Sequence, residues 1–161
     1  MKQAVIFDMD GTVADTLRSI AGFANAALKE HGFPEIPVER FKQLVGNGRD
    51  VLIRRMLEES GRPFTGEDFE KVGAAYDAFY AADPLHLVEP YPGILALLET
   101  LRSRGVKTAV LSNKPDDMTQ AIASQLFAGL FDRVQGPKPG IPKKPDPTAA
   151  LALCEALGAK P

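Results

Sequence analysis

The sequence predicts an α/β protein, a doubly wound parallel sheet with a block of helices inserted after its first strand. Three observations lead there. The run Ala4-Val5-Ile6-Phe7 is apolar without alternation, as in a central strand covered on both faces. From Gly93 onward helical and strand-like patterns alternate, the order that parallel strands joined by crossover helices require. Between them, from Thr16 to Leu87, the periodic segments are helical and none reads as a strand.

The first strand runs into Asp8-Met9-Asp10-Gly11-Thr12. Side chains two apart on an extended chain point the same way, about 7 Å apart, so Asp8 and Asp10 can face one cleft while Met9 faces away. Two neighbouring carboxylates repel unless something neutralises them, and a divalent cation bound through oxygen is the usual remedy. Gly11 permits a sharp turn. Asp and Gly are also ordinary turn residues, so the lesser reading of these five residues alone is a strand-to-loop turn.

Asp15 or Thr16 can cap a helix whose apolar positions Leu17, Ile20, Phe23, Ala24, Ala27 and Leu28 follow the 3.6-residue period, ended by His31, Gly32 and Pro34. A short helix is expected from Val38 to Val45, closed by Gly46. Another runs from Arg49 to about Glu59, with Val51, Leu52, Met56 and Leu57 on one face and Gly61 as its stop. Thr65 with Asp68 forms a capping box for the next, whose stripe of Phe69, Val72, Tyr76, Phe79 and Tyr80 reads as helix packing. Pro92 and Gly93 open a helix with Ile94, Leu97, Leu98 and Leu101 inward, and Val106 to Leu111 is the second core strand. Pro115 sits in the first turn of the following helix, where Asp116 and Asp117 complement the dipole. A third strand near Phe131 to Gln135, a loop rich in Pro, Gly and Lys, and a last helix, Thr148 to Leu157, complete the chain.

The 161 residues fit one domain, or a small domain carrying an insertion. With 19 basic and 21 acidic residues the formal charge is -2, which favours neither nucleic acid nor a membrane surface as partner. No apolar run approaches the roughly 20 residues of a membrane span, and Met1-Lys2-Gln3 leads directly into a strand rather than a signal peptide, so a cytoplasmic location is expected. The single cysteine, Cys154, reads as a small core residue.

Ligand sites of open parallel sheets lie at the carboxyl ends of the strands. Asp8 and Asp10 follow the first strand, Ser112 and Asn113 follow the second before a helix start, and Lys143-Lys144-Pro145-Asp146-Pro147 follows the third. A hydroxyl, backbone N–H groups and an ammonium suit phosphate. A carboxylate beside them, with a cation present, suits phosphoryl transfer onto that carboxylate.

In this order, and with a helical insert after the first, D-M-D-G-T, L-S-N-K and K-K-P-D-P resemble the haloacid dehalogenase superfamily of phosphohydrolases. Within it, S-N-K-P, the G-N-G-R of the insert and K-P-D-P are most similar to phosphoglycolate phosphatases, and the resemblance covers essentially the whole chain. It implies a Rossmann-like core from residues 1–15 and 88–161 and a helical cap, residues 16–87, that sets substrate choice. Asp8 would be the nucleophile and form an aspartyl-phosphate. Asp10 would protonate the leaving alcohol and then activate water, with Thr12 in support. Ser112 and the Asn113 backbone would hold the phosphoryl oxygens, and Lys144, directly before proline as the family pattern has it, would offset the charge; Lys143 competes for that role. Mg2+ would bind Asp8 and the backbone carbonyl of Asp10. Gly48 and Arg49 would receive a substrate carboxylate, or else the glycines there only separate two helices. Lys114 is either a substrate contact or exposed surface. His31 and His86 lack metal-like spacing.

The family's fourth motif, a further strand ending in Gly-Asp with another acid that completes the Mg2+ site, does not occur before Pro161. The expectation is therefore a core incomplete at its C-terminal end, impaired activity, and an exposed edge along Ala4 to Phe7 that invites self-association. The alternatives are a phosphosugar mutase of the same superfamily and a non-catalytic phosphate-binding fragment; Asp10 with Thr12 argues against a dehalogenase.

Overall fold

The computed structural model describes residues 3–161; Met1 and Lys2, read as leading into the first strand, lie outside the described residues. In chain order the elements are β1 (Ala4–Phe7), β2 (Ala14–Asp15), α1 (Leu17–Glu30), a 3-10 turn at Val38–Arg40, α2 (Phe41–Leu44), α3 (Arg49–Glu59) and α4 (Gly66–Ala82). There follow β3 (Glu89–Pro90), α5 (Ile94–Ser103), β4 (Lys107–Leu111), α6 (Asp116–Leu126), β5 (Arg133–Gln135) and α7 (Thr148–Ala156). They form two compact units: one runs through Asp15 and resumes at Glu89–Pro161, and the other is Thr16–Val88.

The first unit holds a parallel sheet in the order β1-β4-β5, with Ala4 opposite Lys107, Phe7 opposite Val110, and Leu111 opposite Gln135. Of the two expectations for Ala4 to Phe7, a central strand and an exposed edge, the sheet shows the edge, and β4 takes the centre. Paired on both sides, β4 has Thr108 through Leu111 buried, whereas β1 lies at the sheet edge with all four residues half-buried. Ala149 and Leu153 of α7 pack on Ala109 and Leu111, joined by Ile6. Phe7, one residue on and so on the opposite face, meets Phe131 edge-on at 6.2 Å, and Phe131 meets Phe127 at 5.2 Å.

Thr108 is a buried polar residue inside a central strand, and its groups are satisfied. Its hydroxyl donates to Leu130 O at 2.9 Å, its N–H donates to Asp132 Oδ2 at 2.9 Å, and its carbonyl accepts from Asp132 N–H at 2.8 Å. Lys107 Nζ lies 2.8 Å from Asp132 Oδ1. Burial works against the charge on Asp132, but the bonds from Lys107 and the Thr108 N–H outweigh it and hold the carboxyl below the usual carboxylate range.

The pairing of β2 with β3, Ala14 opposite Pro90 and Asp15 opposite Glu89, was not expected, because two-residue strands carry no periodicity. Within the sheet unit it brings together the points where the chain leaves for Thr16–Val88 and returns. In α5 the expected inward face is also corrected: Leu98 is fully buried and Ile94 and Leu101 are half-buried, but Leu97 is 42% exposed. Successive helical residues sit about 100° apart, and the buried face lies on the Leu98 side.

In the second unit α1 packs on α4, with Phe23 and Tyr80 rings 4.9 Å apart, and Val72, Tyr76 and Tyr80 buried. Phe69 and Phe79 of the same stripe are half-buried. On α3 the buried face is Leu52, Ile53, Met56 and Leu57; Ile53 takes the place expected of Val51, which is exposed. Asn25 pins the loop after α1, donating to Ile36 O and accepting from Ile36 N–H, each at 2.8 Å. The capping box forms: Thr65 N–H donates to Asp68 Oδ2 at 2.8 Å and Asp68 N–H donates to Thr65 Oγ1 at 3.2 Å. Thr16 precedes α1 but makes no side-chain capping bond. No helix among the described residues is long and apolar enough to cross a membrane.

Thr65→Ala should lower stability by about 1 kcal/mol, the usual value of an N-cap side chain, read as a shift in the urea unfolding midpoint. A depressed folded-state pKa contributes stability that is fully present above the unfolded carboxyl value of about 3.9 and is lost as pH falls through the folded value. Asp132→Asn should therefore be clearly less stable than the parent at neutral pH, with the gap closing below about pH 4. Urea midpoints of both proteins measured across that range provide the check.

Candidate active site

The end of β1 delivers two carboxylates around a fully buried methionine. Met9 is 0% exposed, and its carbonyl accepts the N–H groups of Thr12, Val13 and Ala14 at 3.3, 3.1 and 3.1 Å. Gly11, at φ 73°, turns the chain and donates to Ala14 O at 3.0 Å. Asp8 Oδ1 accepts from Met9 N–H at 2.7 Å. The turn about Met9 O carries Thr12 to an exposed position, where its hydroxyl makes no hydrogen bond to Asp10.

The end of β4 supplies Ser112, Asn113 and Lys114, all buried. Ser112 N–H donates to Gln135 O at 3.0 Å, continuing the β4–β5 ladder one step past Leu111. Its Oγ accepts from Lys114 N–H at 3.1 Å, so the hydroxyl proton remains free to be donated elsewhere. The Asn113 side chain clamps the loop after β5: Nδ2 donates to Lys144 O and Oδ1 accepts from Lys144 N–H, both at 3.0 Å. Nothing local in the sequence marks this use of the side chain.

Lys144, set by that clamp, donates to Leu111 O at 2.7 Å and lies 2.7 Å from Asp8 Oδ1. Lys143 is exposed, so of the two competing lysines it is Lys144 that the structure brings to Asp8. Lys114 is not exposed surface: its side chain is 4% exposed, and Nζ lies 3.1 and 3.3 Å from the two carboxylate oxygens of Asp10. The repulsion between Asp8 and Asp10, for which a cation seemed the usual remedy, is thus offset by one ammonium apiece.

The donor set suits a hard cation. The Met9 N–H bond and the nearest approach of the Lys144 ammonium both fall on Oδ1 of Asp8. Among the described residues no three His, Cys, Asp or Glu side chains cluster as ligands. Mg2+ is commonly held by one or two carboxylates with water and phosphate oxygens completing the shell, which Asp8 and the Asp10 carbonyl can match. A cleft opens at the same end of the sheet, lined by Ser112, Asn113, Gln135, Gly136 and Lys144 among others.

Gly48 and Arg49 lie in the other unit, at the start of α3, with Gly48 at φ 92°. The Arg49 guanidinium grips Asp77 with two hydrogen bonds of 2.7 and 3.1 Å and reaches Asp50 at 2.9 Å. Burial opposes its charge, but the bonds to Asp77 and Asp50 more than compensate and raise its pKa. It lies against Gly73 of α4, where any side chain would collide with it. Asp77, Asp50 and Gly73 carry no motif that would have marked them.

Known proteins match this chain along its length. The family described as haloacid dehalogenase-like hydrolases matches residues 2–161. The phosphoglycolate phosphatase of Aquifex aeolicus is 34% identical over 160 residues, covering 99% of this chain and 72% of that protein. That of Rhodospirillum rubrum is 34% identical over 165 residues, covering 98% of this chain and 68% of its own length. Among solved structures, a provisionally named phosphoglycolate phosphatase from Lactobacillus delbrueckii superposes with a TM-score of 0.92 at 33% identity, covering 99% of this chain and 75% of that one.

Asn113→Ala should release the loop that carries Lys144. Two hydrogen bonds worth about 1 kcal/mol each are lost, so the Lys144 amide should exchange with deuterium faster while those of Ala109 to Leu111 keep their protection. Unchanged protection at Lys144 would show that the clamp does not hold the loop.

Proposed function

The chain belongs to the haloacid dehalogenase-like hydrolase family, and from that membership we propose that it hydrolyses a small phosphomonoester such as phosphoglycolate, with Mg2+, through an aspartyl-phosphate on Asp8. The observation that carries this reading is the convergence of three strand ends on one carboxylate: Lys144, after β5, bridges Leu111 O of β4 and Asp8 Oδ1 beyond β1, each at 2.7 Å.

In this reading Asp8 Oδ2 attacks phosphorus while Oδ1 stays fixed by the Met9 N–H and Lys144. A bond forms from the carboxylate oxygen to phosphorus, and the ester bond to the alcohol breaks. Asp10 gives its proton to the departing alkoxide, then takes one from the water that attacks the aspartyl-phosphate and releases inorganic phosphate. The Ser112 hydroxyl and the Asn113 N–H receive the phosphoryl oxygens, and Lys144 balances charge on both nucleophile and phosphate. Mg2+, held by Asp8 and the Asp10 carbonyl, would supply further neutralisation of the phosphate and lower the barrier to an anion attacking an anion.

The helical unit, Thr16–Val88, is proposed as the cap that selects the substrate. Arg49, already paired with Asp77 and Asp50, is better supported as a brace between α3 and α4 than as a substrate contact. The Gly48 N–H at the start of α3 keeps the role of anion donor proposed for it. A cytoplasmic location accords with the absence of a membrane-spanning helix among the described residues and is proposed on the same footing.

Phosphate release from phosphoglycolate should require added Mg2+ and cease on chelation. Asp8→Asn should lower kcat by at least about a thousandfold, the scale on which removal of an activated nucleophile acts. Turnover by Asp8→Asn at the parent rate would sink the reading.

A further inference from the structure

Lys114 takes no part in the steps above, yet it is the only buried residue among those described that carries a charge. A buried ammonium is costly unless paired, and its pair is Asp10. Its main chain is held on several sides. The N–H donates to Ser112 Oγ at 3.1 Å, and the carbonyl accepts from Thr119 Oγ1 at 3.2 Å. Gly136 packs so closely that a Cβ there would lie 2.8 Å from Lys114 O and 2.5 Å from Asp116 Cα. A long side chain leaving so fixed a base, with its stem out of water, has few places to put its ammonium.

Asp10 stands on the opposite footing. It sits in a turn outside the β1–β4 ladder, and its side chain is 20% exposed. Lys114 reaches it from a residue 104 positions away in the chain, and the contacts to both oxygens are nearly equal at 3.1 and 3.3 Å. Such a fork holds the carboxylate by both oxygens and limits its rotation. We propose that Lys114 is the positioning residue for Asp10, fixing the carboxylate where the leaving alcohol must be protonated. This rests on the reading of Asp10 as the acid in the reaction above.

Leaving groups separate the two ideas. An alkoxide must be protonated to leave, whereas the phenolate of para-nitrophenyl phosphate departs without help. With Mg2+ present, Lys114→Met should lower kcat on phosphoglycolate by about 10- to 100-fold, the range lost when an acid is displaced by about an ångström. KM should stay within about threefold, and in single turnovers with enzyme in excess the release of para-nitrophenol, which precedes the water-activating step of Asp10, should change by less than about threefold. Lys114→Arg, which keeps the charge, should recover part of the loss on phosphoglycolate. In an Asp10→Asn background, Lys114→Met should cost less than about twofold more, because two residues serving one step are not additive.

Equal losses in the leaving-group release step on both substrates, or additive losses in the double variant, would overturn the proposal and leave Lys114 a structural charge. If Asp10→Asn slows release of the alcohol and of the phenol alike in single turnovers, before the shared attack of water on the aspartyl-phosphate, the acid role of Asp10 fails. If Asp10→Asn discriminates between them and Lys114→Met does not, only the positioning role fails. Should Lys114→Met not fold, Lys114→Arg is decisive alone, since a displaced fork must still spare the aryl substrate. Slow turnover is handled by reading the same ratios in single turnovers with enzyme in excess.

Discussion

The ammonium of Lys144, held between the last carbonyl of β4 and the carboxylate beyond β1, is the contact on which the rest of the site depends. It joins the ends of two strands that the sheet brings side by side, using a residue from the loop beyond a third. That loop has no regular structure to hold it, so its placement falls to side-chain bonds, chiefly the paired bonds of Asn113 to the Lys144 backbone. Loss of that clamp would leave Lys144 on a loop free to drift, and with it the charge balance at Asp8.

Charge is matched locally at this end of the sheet. Asp8 faces Lys144 and Asp10 faces Lys114, so neither carboxylate is left beside the other without compensation. The two pairs differ in kind. Asp8 is 43% exposed, while the ammonium that holds Asp10 is almost wholly out of water. In the proposed reaction the nucleophile must meet its substrate, whereas the acid must stand at a fixed point beside the departing oxygen. The difference in burial accords with that proposal.

The helical unit applies the same economy to a different end. Arg49 spans α3 and α4 through Asp77 and lies over Gly73, where the missing side chain makes room for a planar guanidinium. A guanidinium gripped by two carboxylates is a brace, and that weakens the idea that it was kept for a substrate carboxylate. In the proposed cap, selection would then rest on shape and on backbone N–H groups such as that of Gly48.

The sequence by itself determined the features whose causes are local. Periodicity located α1, α3 and α4, with α3 bounded at Arg49–Glu59 as expected, and the Thr65–Asp68 capping box was legible because both partners lie within one turn. The spacing of Asp8 and Asp10 on an extended chain marked both as candidates for one cleft. Tertiary structure alone decided the partners: Lys144 with Asn113 across 31 residues, Lys114 with Asp10 across 104, and Arg49 with Asp77 across 28. It also decided that Leu97 faces outward. The reason is physical. A residue's conformational preference is written in its neighbours along the chain, but the partner of a buried charge is set by which strand ends the sheet brings together, and no local pattern records that.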